Sequence, residues 1–297
     1  MKAKRKNSSF AHVGLVANPD KPECRAIIRR AARLIGNSGR SVSADEETAL
    51  FGGLDVATHA TKKKLARAVD LLIIIGGDGT FLGVSRDVAG IATPMIGINA
   101  GRLGFLTTIS ADHLAVALKK IWAGELRSET RPLIEVVRTL GDRSVSSLAM
   151  NDFVVARGEG SRLIEIDVRV NGNELTTYRC DGLIVSSPTG STAYSLAAGG
   201  AIVSPDAEVF TLTPICPHTL SNRSVILSLN SEIEVEARTY SPQTHLSADG
   251  ILLAKIAKGE SVTIRRSRKA VRLLHLAGDS FFQTLGAKLH WAGTHTG

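Results

Sequence analysis

A buried strand followed at once by a glycine-rich turn is the feature of this sequence that most constrains its fold. Residues 71–75 are continuously apolar and largely β-branched, and the turn at 76–80 reads Gly-Gly-Asp-Gly-Thr. A continuous apolar run of this length, bounded by glycines, is typical of a strand buried on both faces. The run therefore predicts a core strand that ends in a turn with unusual chemical features.

The turn at 76–80 combines conformational freedom with a single carboxylate. Glycine allows a positive φ and a close approach to a ligand, and unpaired backbone N–H groups in such a turn can point at phosphate oxygens. Asp78 is not needed for a tight turn, but it suits a site that binds phosphate with cations or that takes a proton from a hydroxyl. Neither a P-loop nor a G-x-G-x-x-G pattern is present. An ordinary glycine turn after a core strand is the alternative.

Strand and helix signals alternate through the first part of the chain. Strands are predicted at 13–17, 71–75 and 94–98, and helices at 23–36, 61–69, 80–89 and 111–123. This alternation predicts a parallel α/β sheet, whose ligands lie at the carboxyl ends of the strands. The glycine loops at 76–79 and 99–104 both lie at such ends.

Near Arg131-Pro132 the sequence changes from alternating strand and helix signals to mainly strand signals. Alternating or β-branched segments predict strands at 133–137, 151–155, 164–170, 175–178, 182–186, 224–229, 233–237 and 261–265. Within this half only 192–201 reads as helical, whereas a helical stripe runs through 281–291. The fold class we predict is α/β: a parallel-sheet α/β domain followed by a β-rich domain. The predicted segments are a disordered basic tail at 1–11, the α/β domain at 12–130, the β-rich domain at 131–278, and a C-terminal helix or tail at 279–297 that returns to the first domain.

The segment 179–200 gathers many polar groups. It reads Arg-Cys-Asp-Gly-Leu-Ile-Val-Ser-Ser-Pro-Thr-Gly-Ser-Thr-Ala-Tyr-Ser-Leu-Ala-Ala-Gly-Gly, which predicts a strand, a turn and a helix of small residues. Hydroxyl and N–H groups suit a ribose and a carboxamide, and the Tyr194 ring suits stacking on a flat ring. The alternative is an ordinary helix start, with Ser191 or Thr192 as the N-cap.

Composition excludes several classes of protein. The net charge is +8 over 297 residues, but the basic residues are dispersed and no nucleic-acid motif accompanies them, so we expect no nucleic-acid partner. A positive field also concentrates polyanionic substrates such as nucleotides. No run approaches the ~20 apolar residues of a membrane span, and we expect no membrane partner. Three widely spaced cysteines, Cys24, Cys180 and Cys216, indicate neither disulfides nor zinc, and they favour a reducing cytoplasm.

Several segments, in one order along the chain, together resemble the NAD kinase family. They are 76–80, 99–106, 151–152, 181–200 and 217–223. The string from Asp181 to Tyr194, Asp-Gly-Leu-Ile-x-Ser-x-Pro-Thr-Gly-Ser-Thr-Ala-Tyr, is highly specific, and the resemblance covers residues 10–297. The 76–80 motif alone is shared with 6-phosphofructokinases, diacylglycerol kinases and sphingosine kinases.

The resemblance implies a reaction. It implies transfer of a terminal phosphoryl group to the 2′-hydroxyl of the adenosine ribose of NAD, with Mg²⁺ or Mn²⁺ required, and with NAD bound between the two domains. It also implies self-association as a dimer or tetramer. Two alternatives stay open at this point: a lipid or sugar kinase sharing the 76–80 motif, and a non-catalytic nucleotide-binding regulator. The phosphoryl donor (ATP, another triphosphate or polyphosphate), the acceptance of NADH and the metal ligands are not predicted.

The same resemblance assigns residues to roles. Asp78 matches the catalytic aspartate, which orients the ribose hydroxyl and accepts its proton. The predicted NAD contacts are Asp78, Gly79, Phe105, Asn151, Asp152, Asp181, Thr189, Thr192, Ala193, Tyr194 and Asp249. The candidates for binding donor phosphates are Gly76, Gly77, Thr80, Asn99, Arg102 and Arg179. Arg179 is equally suited to an ion pair. In two places the sequence departs from the family pattern: Asp152 stands where Glu is common, and Ile251 stands where a polar residue is common.

Overall fold

The chain forms two compact units. The computed structural model describes residues 10–140, 143–159, 162–218, 223–239 and 243–291. Unit 1 comprises Met1–Thr130 and Val271–Gly297, and unit 2 comprises Arg131–Ala270. The chain thus rejoins unit 1 at Val271, earlier than the predicted return at 279, because one long strand carries residues of both units.

The secondary structure alternates in unit 1 and is almost entirely β in unit 2. The helices are α1 (Glu23–Asn37), α2 (Glu46–Gly52), α3 (Lys62–Ala68), α4 (Asp78–Asp87), α5 (Leu114–Ala123), α6 (Tyr194–Ala197) and α7 (Phe281–Leu289). The strands are β1 (His12–Ala17), β2 (Ser41–Asp45), β3 (Ala57–His59), β4 (Leu71–Gly76), β5 (Met95–Asn99), β6 (Ile109–Ser110), β7 (Leu126–Leu140), β8 (Arg143–Ala149), β9 (Asp152–Arg157), β10 (Ile164–Val170), β11 (Asn173–Cys180), β12 (Gly182–Ser186), β13 (Val209–Ile215), β14 (Val225–Ser228), β15 (Ile233–Ala237), β16 (Thr244–Ala248), β17 (Ile251–Ile256) and β18 (Ser261–Leu276).

The sheet of unit 1 is parallel, as the alternation of strands and helices predicts. Its strands pair in the order β18-β5-β4-β1-β2-β3, and β6 also pairs with β5. Residues 71–75 of β4 have no exposed surface, which confirms the prediction of a strand buried on both faces. Because Gly76 pairs with Asn99 in register, the carboxyl ends of β4 and β5 bring the loops at 76–80 and 99–107 together.

The N-terminal segment is ordered earlier than predicted. Residues 1–9 of the predicted tail lie outside the described residues. Phe10 packs against the core of unit 1, and the N–H of Ala11 donates to Asp70 Oδ2 at 2.9 Å. The prediction of a disordered tail through residue 11 is therefore wrong at Phe10 and Ala11, because an apolar ring and a backbone hydrogen bond hold them.

Unit 2 is built from antiparallel strands. One sheet has the order β14-β13-β12-β9-β16-β17, and a second set pairs in the order β11-β10-β15-β18. The inward side chains are mostly aliphatic, with Phe153 and Phe210 fully buried. The predicted helix at 192–201 is wrong in extent: a 3-10 turn occupies Thr189–Thr192 and α6 has a single turn, because Gly199 adopts a φ of 85° just beyond it.

The state of the cysteines and the length of the helices test two expectations from the sequence, on disulfides and on membrane spans. All three cysteines are free thiols, with Cys24 and Cys180 buried and Cys216 exposed. Burial raises the pKa of the Cys180 thiol to about 12, so at neutral pH this thiol is protonated and unreactive. Among the described residues, no helix has the length and apolar character needed to cross a membrane.

Candidate active site

In unit 1, Asp78 anchors the loop that follows β5. Gly77 is the N-cap of α4, so Asp78 is the first helical residue, and the positive end of the helix dipole favours its negative charge. The carboxylate accepts the N–H groups of residues 105–107 at 2.8, 3.1 and 3.1 Å, and Thr107 Oγ1 donates to it at 3.0 Å. The helix was predicted to begin at 80. It begins two residues earlier, at Asp78, because Gly77 is its N-cap.

The two oxygens of Asp78 are used unequally. Oδ1 accepts from Leu106 N–H and from both the N–H and the hydroxyl of Thr107, whereas among the described residues Oδ2 accepts only from Phe105 N–H. An ionised carboxylate oxygen offers about two lone-pair sites. Oδ1 is therefore saturated, and Oδ2 retains capacity to accept one further hydrogen bond from a substrate hydroxyl.

Asn99 shapes the same loop from within. Its side chain is only 3% exposed. The amide nitrogen donates to the carbonyl oxygen of Arg102 and to Thr107 Oγ1, the latter at 3.0 Å, and Oδ1 accepts the N–H of Gly101 at 2.6 Å. The structure thus uses the side chain of Asn99 to hold residues 101–107.

The other donor-phosphate candidates of unit 1 lie around the start of α4. Gly76 ends β4, and the Thr80 side chain packs so closely on it that a Cβ at Gly76 would collide with the Thr80 hydroxyl. Beside Gly77 lies the ammonium group of Lys21, 3.5 Å from where a Cβ would stand. Arg102 is exposed on the neighbouring loop. A backbone turn and the Lys21 ammonium group thus lie at the helix start.

Phe105 is contacted by the C-terminal helix. The Phe281 ring of α7 lies 6.0 Å from the Phe105 ring, centroid to centroid. Lys288 Nζ lies 4.9 Å from the Phe105 centroid and donates to the carbonyl oxygen of Leu103 at 2.8 Å. The C-terminal helix was predicted to pack on the first domain. In the structure it contacts the loop that Asp78 anchors.

In unit 2, Asp249 anchors a second loop by the same means. Its carboxylate accepts the N–H groups of residues 150–152 at 3.1, 2.8 and 3.3 Å, and its own N–H donates to the carbonyl oxygen of Asp152 at 3.0 Å. Asp249 has a φ of 46°, a left-handed conformation that Asp tolerates better than most residues. The late acidic residue of the sequence pattern thus fixes the backbone at the start of β9.

Asp152 is a buried acid next to this carboxylate. It is 3% exposed, and burial first, then the neighbouring charge of Asp249, raises its pKa from 3.8 to about 7. Both effects disfavour the ionised form. Asp152 is therefore protonated in a substantial fraction of molecules at neutral pH.

The turn after β12 packs on Asn151. Ser187 N–H donates to the carbonyl oxygen of Asn151 at 2.8 Å, and a Cβ at Gly190 would collide with the same carbonyl. The side-chain oxygen of Asn151 is buried and has no hydrogen-bond partner among the described residues. A buried amide oxygen without a partner is costly, and a ligand N–H or O–H group would satisfy it.

Three further residues of the 179–200 motif, Thr189, Thr192 and Tyr194, lie in or just after this turn. Arg131 donates to Thr189 Oγ1 at 2.9 Å, and Thr192 donates to the carbonyl oxygen of Thr189 at 3.4 Å. The N-cap of α6 is Ala193, without a side-chain hydrogen bond, so the alternative of a helix capped by Ser191 or Thr192 is wrong. Tyr194 is 48% exposed and presents its ring to solvent.

Asp181 lies away from the Asn151 end of the strands. Ser186 pairs with Asp152 and Gly182 with Ala156, which places Asp181 about 16 Å along β12 from the Asp152 pair at ~3.3 Å per residue. There its Oδ1 accepts from Arg157 Nε at 2.6 Å. Arg179 is exposed near the end of β11, the strand that precedes β12 in the sequence and belongs to the other set of strands. Within unit 2 the structure therefore brings Asn151, Asp152, Thr189 and Asp249 together, but not Asp181.

Residues 219–222 of the predicted 217–223 motif lie outside the described residues.

The sequence analysis did not identify the residues that contact the predicted site residues. They are Lys21, Thr107, Arg131, Arg157 and Lys288. Each acts across a long separation in sequence, and none stands in a pattern of its own, so only the fold identifies them.

Two family models match the chain. The model described as "ATP-NAD kinase N-terminal domain" matches residues 13–126, and "ATP-NAD kinase C-terminal domain" matches residues 150–276. The first match contains Asp78 and its loop, and the second contains Asn151, Asp152 and Asp249. A glycine turn with an acid at the edge of a parallel sheet, in a chain matched by these models, defines a kinase that phosphorylates a hydroxyl group.

Curated relatives agree over nearly the full length. "NAD kinase" of Methylibium petroleiphilum is 38% identical over 96% of this chain and 96% of that protein. "NAD kinase" of Neisseria meningitidis serogroup B is 39% identical over 96% of this chain and 98% of that protein. The chain belongs to the NAD kinase family, which sets aside the lipid-kinase, sugar-kinase and non-catalytic alternatives.

Solved structures agree with the fold. The yeast NADH kinase complexed with NADH covers 97% of this chain and 90% of its own, with a TM-score of 0.86 and 24% identity. The NAD kinase of Archaeoglobus fulgidus in complex with ATP covers 95% of this chain and 100% of its own, with a TM-score of 0.73 and 26% identity. The fold class predicted from the sequence is thereby confirmed.

Proposed function

We propose that this chain transfers the terminal phosphoryl group of ATP to the 2′-hydroxyl of the adenosine ribose of NAD, giving NADP. Membership of the NAD kinase family supports the reaction. One observation carries the mechanism: in the part of the chain that the structure describes, Asp78 Oδ2 has a single hydrogen bond, from Phe105 N–H, and so can accept the proton of a substrate hydroxyl.

The proposed step needs one base and a bound phosphoryl donor. The ribose hydroxyl is a poor nucleophile, and Asp78 orients it and takes its proton as the oxygen attacks the terminal phosphorus. The O–H bond breaks and a new O–P bond forms, while the bond between the terminal phosphorus and the bridging oxygen breaks and ADP leaves. The loop held by Asp78 and Asn99 keeps the carboxylate in one orientation for this transfer.

The dinucleotide and the donor use different groups in this proposal. NAD binds through Asn151 and Tyr194. The amide oxygen of Asn151 has no partner among the residues that the structure describes and accepts a hydrogen bond, and the ring of Tyr194 is exposed for stacking. The remaining proposed NAD contacts are Gly79, Phe105, Asp152, Asp181, Thr189, Thr192, Ala193 and Asp249. The proposed contacts to the donor phosphates are Gly76, Gly77, Thr80, Asn99, Arg102 and Arg179. A solved relative is an NAD kinase in complex with ATP.

The divalent cation enters the proposal as part of the substrate. Among the described residues, no group of three or more His, Cys, Asp or Glu side chains is arranged to hold a metal ion. We therefore propose that Mg²⁺ or Mn²⁺ arrives bound to the triphosphate, whose charge the protein alone cannot neutralise.

We also propose that the chain self-associates through strand β17. This strand ends the sheet order of unit 2, and Ile251, Leu252 and Leu253 on it are 52%, 58% and 38% exposed. An exposed apolar edge strand is a natural pairing surface. Sedimentation analysis of Leu252→Lys tests this, with Val116→Lys on α5, a residue 56% exposed, as the matched control. A monomeric wild-type protein would contradict it.

A cytoplasmic location is the last part of the proposal. The three thiols are free, as expected in a reducing compartment. Fractionation of cells that express the chain tests the assignment, and recovery of the protein outside the cytoplasmic fraction would contradict it.

One assay tests the activity directly. The purified chain is incubated with NAD, ATP and Mg²⁺, and NADP is detected with a NADP-specific dehydrogenase. We expect NADP to form, and we expect excess chelator to abolish its formation. Parallel reactions with other triphosphates, polyphosphate and NADH define the donor and the acceptor. No NADP under any of these conditions would contradict the proposal.

A further inference from the structure

Helix α7 makes two kinds of contact with the loop that carries Phe105. Its last turn places Lys288 Nζ 2.8 Å from the carbonyl oxygen of Leu103 and 4.9 Å from the Phe105 ring centroid. Its first turn places the Phe281 ring 6.0 Å from the Phe105 ring, with an interplanar angle of 38°. Both ends of one helix thus contact one aromatic side chain.

These contacts differ from those that hold the rest of the loop. Asp78 and Asn99 bind backbone groups and the Thr107 hydroxyl. They therefore fix the path of the chain but not the rotamer of Phe105. An ammonium group near an aromatic face is attracted by the ring quadrupole, and a tilted ring pair prefers a defined offset. The contacts from α7 act on the ring itself.

We propose that Lys288, supported by Phe281, is a positioning residue that holds Phe105 in the orientation that binds NAD. The inference rests on the proposed function, in which Phe105 contacts the dinucleotide. A ring held before binding loses less rotamer freedom when the substrate arrives, which strengthens binding. Lys288 does not touch substrate in this account; it acts through Phe105 and the Leu103 carbonyl.

Kinetic constants of two Lys288 variants test the role. Lys288→Met keeps the aliphatic stem and removes the charge and the donor, whereas Lys288→Arg keeps both. We expect Lys288→Met to raise the KM for NAD about threefold to tenfold, as expected from losing one exposed cation–π contact and one hydrogen bond. The KM for ATP and kcat should stay within about twofold, and Lys288→Arg should restore the KM for NAD.

A control variant separates this effect from the loss of a positive charge on an exposed helix surface. Lys119 lies in the middle of α5 and is exposed, so Lys119→Met removes a lysine charge from a different helix. It should leave the KM for NAD unchanged. If Lys119→Met and Lys288→Met change the KM equally, or if Lys288→Met lowers the melting temperature and shifts both KM values alike, the positioning role is overturned.

A double variant distinguishes failure of this inference from failure of the proposed function. Phe105→Leu should raise the KM for NAD, and adding Lys288→Met to it should have less effect than in the wild-type background. Additive effects would overturn the inference while leaving NAD phosphorylation intact. An unchanged KM in Phe105→Leu would overturn both the inference and the assignment of Phe105 as an NAD contact. Absence of NADP formation by the wild-type chain would contradict the proposed function itself.

Discussion

Unit 1 and unit 2 use the same device at their candidate sites, an aspartate carboxylate that gathers three successive backbone N–H groups. In unit 1, Asp78 holds residues 105–107. In unit 2, Asp249 holds residues 150–152. Each carboxylate satisfies a run of donors that would otherwise be unpaired in a loop, and charge-assisted hydrogen bonds of this kind are stronger than neutral ones.

The surroundings of the two carboxylates differ, and so do their consequences. Asp78 begins a helix of ten residues, and Oδ2 keeps acceptor capacity for a substrate. Asp249 sits in a left-handed turn beside the buried Asp152, whose pKa it helps to raise. The same arrangement thus provides a candidate base in unit 1, whereas in unit 2 it holds a loop and raises the pKa of the neighbouring Asp152.

The largest effect is expected from Asp78→Asn. The amide cannot act as a base and presents an NH₂ group to backbone N–H donors, so we expect kcat to fall by about 10² to 10⁴ and the KM for NAD to rise as the loop shifts. Steady-state kinetics and a melting curve measure both effects. Near-normal kcat in a folded Asp78→Asn protein would remove Asp78 from the chemistry and direct attention to Asp152 and Asp181.

The second prediction concerns pH and unit 2. Because the native pKa of Asp152 is about 7 and its ordinary value is 3.8, the native state binds the extra proton between these values. The contribution of Asp152 to the free energy of unfolding is therefore highest below pH 4, falls as pH rises to about 7, and is constant above. The decline should reach up to about 4 kcal/mol. Urea unfolding from pH 5 to 8 should show about 3 kcal/mol of this decline, and an equal slope in Asp152→Asn would contradict it.

The third prediction compares glycines that pack against the two loops. A Cβ at Gly104 would collide with Asp78, and one at Gly190 would collide with the Asn151 carbonyl, whereas nothing lies within 4 Å of a Cβ at Gly101. We expect Gly104→Ala and Gly190→Ala each to lower the free energy of unfolding by about 1–3 kcal/mol. Gly101→Ala should stay within about 0.5 kcal/mol of wild type. Equal stability of all three variants by denaturant unfolding would show that neither loop is closely packed.

The smallest change in pH dependence is expected from Asp249→Asn, although this amide, like that of Asp78→Asn, also presents an NH₂ group to backbone N–H donors and should loosen residues 150–152. Asparagine tolerates the left-handed turn, and the loss of charge removes the second cause of the raised pKa of Asp152. The pH at which stability stops declining should therefore move below 7, but only in part, because burial is the larger cause. The same urea series detects the shift. A pH profile identical to wild type would show that Asp249 does not influence Asp152.

Local patterns in the sequence predicted elements whose burial is uniform or periodic. The continuous apolar run of β4 and the helical faces of α1 and α5 were predicted within a few residues. Helix α2 was not predicted, and neither were strands β2, β3, β6, β8, β13, β16 and β17. In β17 the apolar residues 251–253 are all exposed, so their pattern does not alternate with burial. At α6, the small residues that suggest a longer helix instead permit a turn and a glycine at positive φ.

The sequence by itself determined that a glycine turn with one acid follows a buried strand, because burial and turn chemistry are local properties of residues 71–80. Only the tertiary structure decided which groups that acid meets. The donors to Asp78 lie 27 to 29 residues away, and those to Asp249 lie 97 to 99 residues away. A carboxylate carries no local signal of its distant partners, and the pKa of Asp152 depends on a burial that only the folded chain creates.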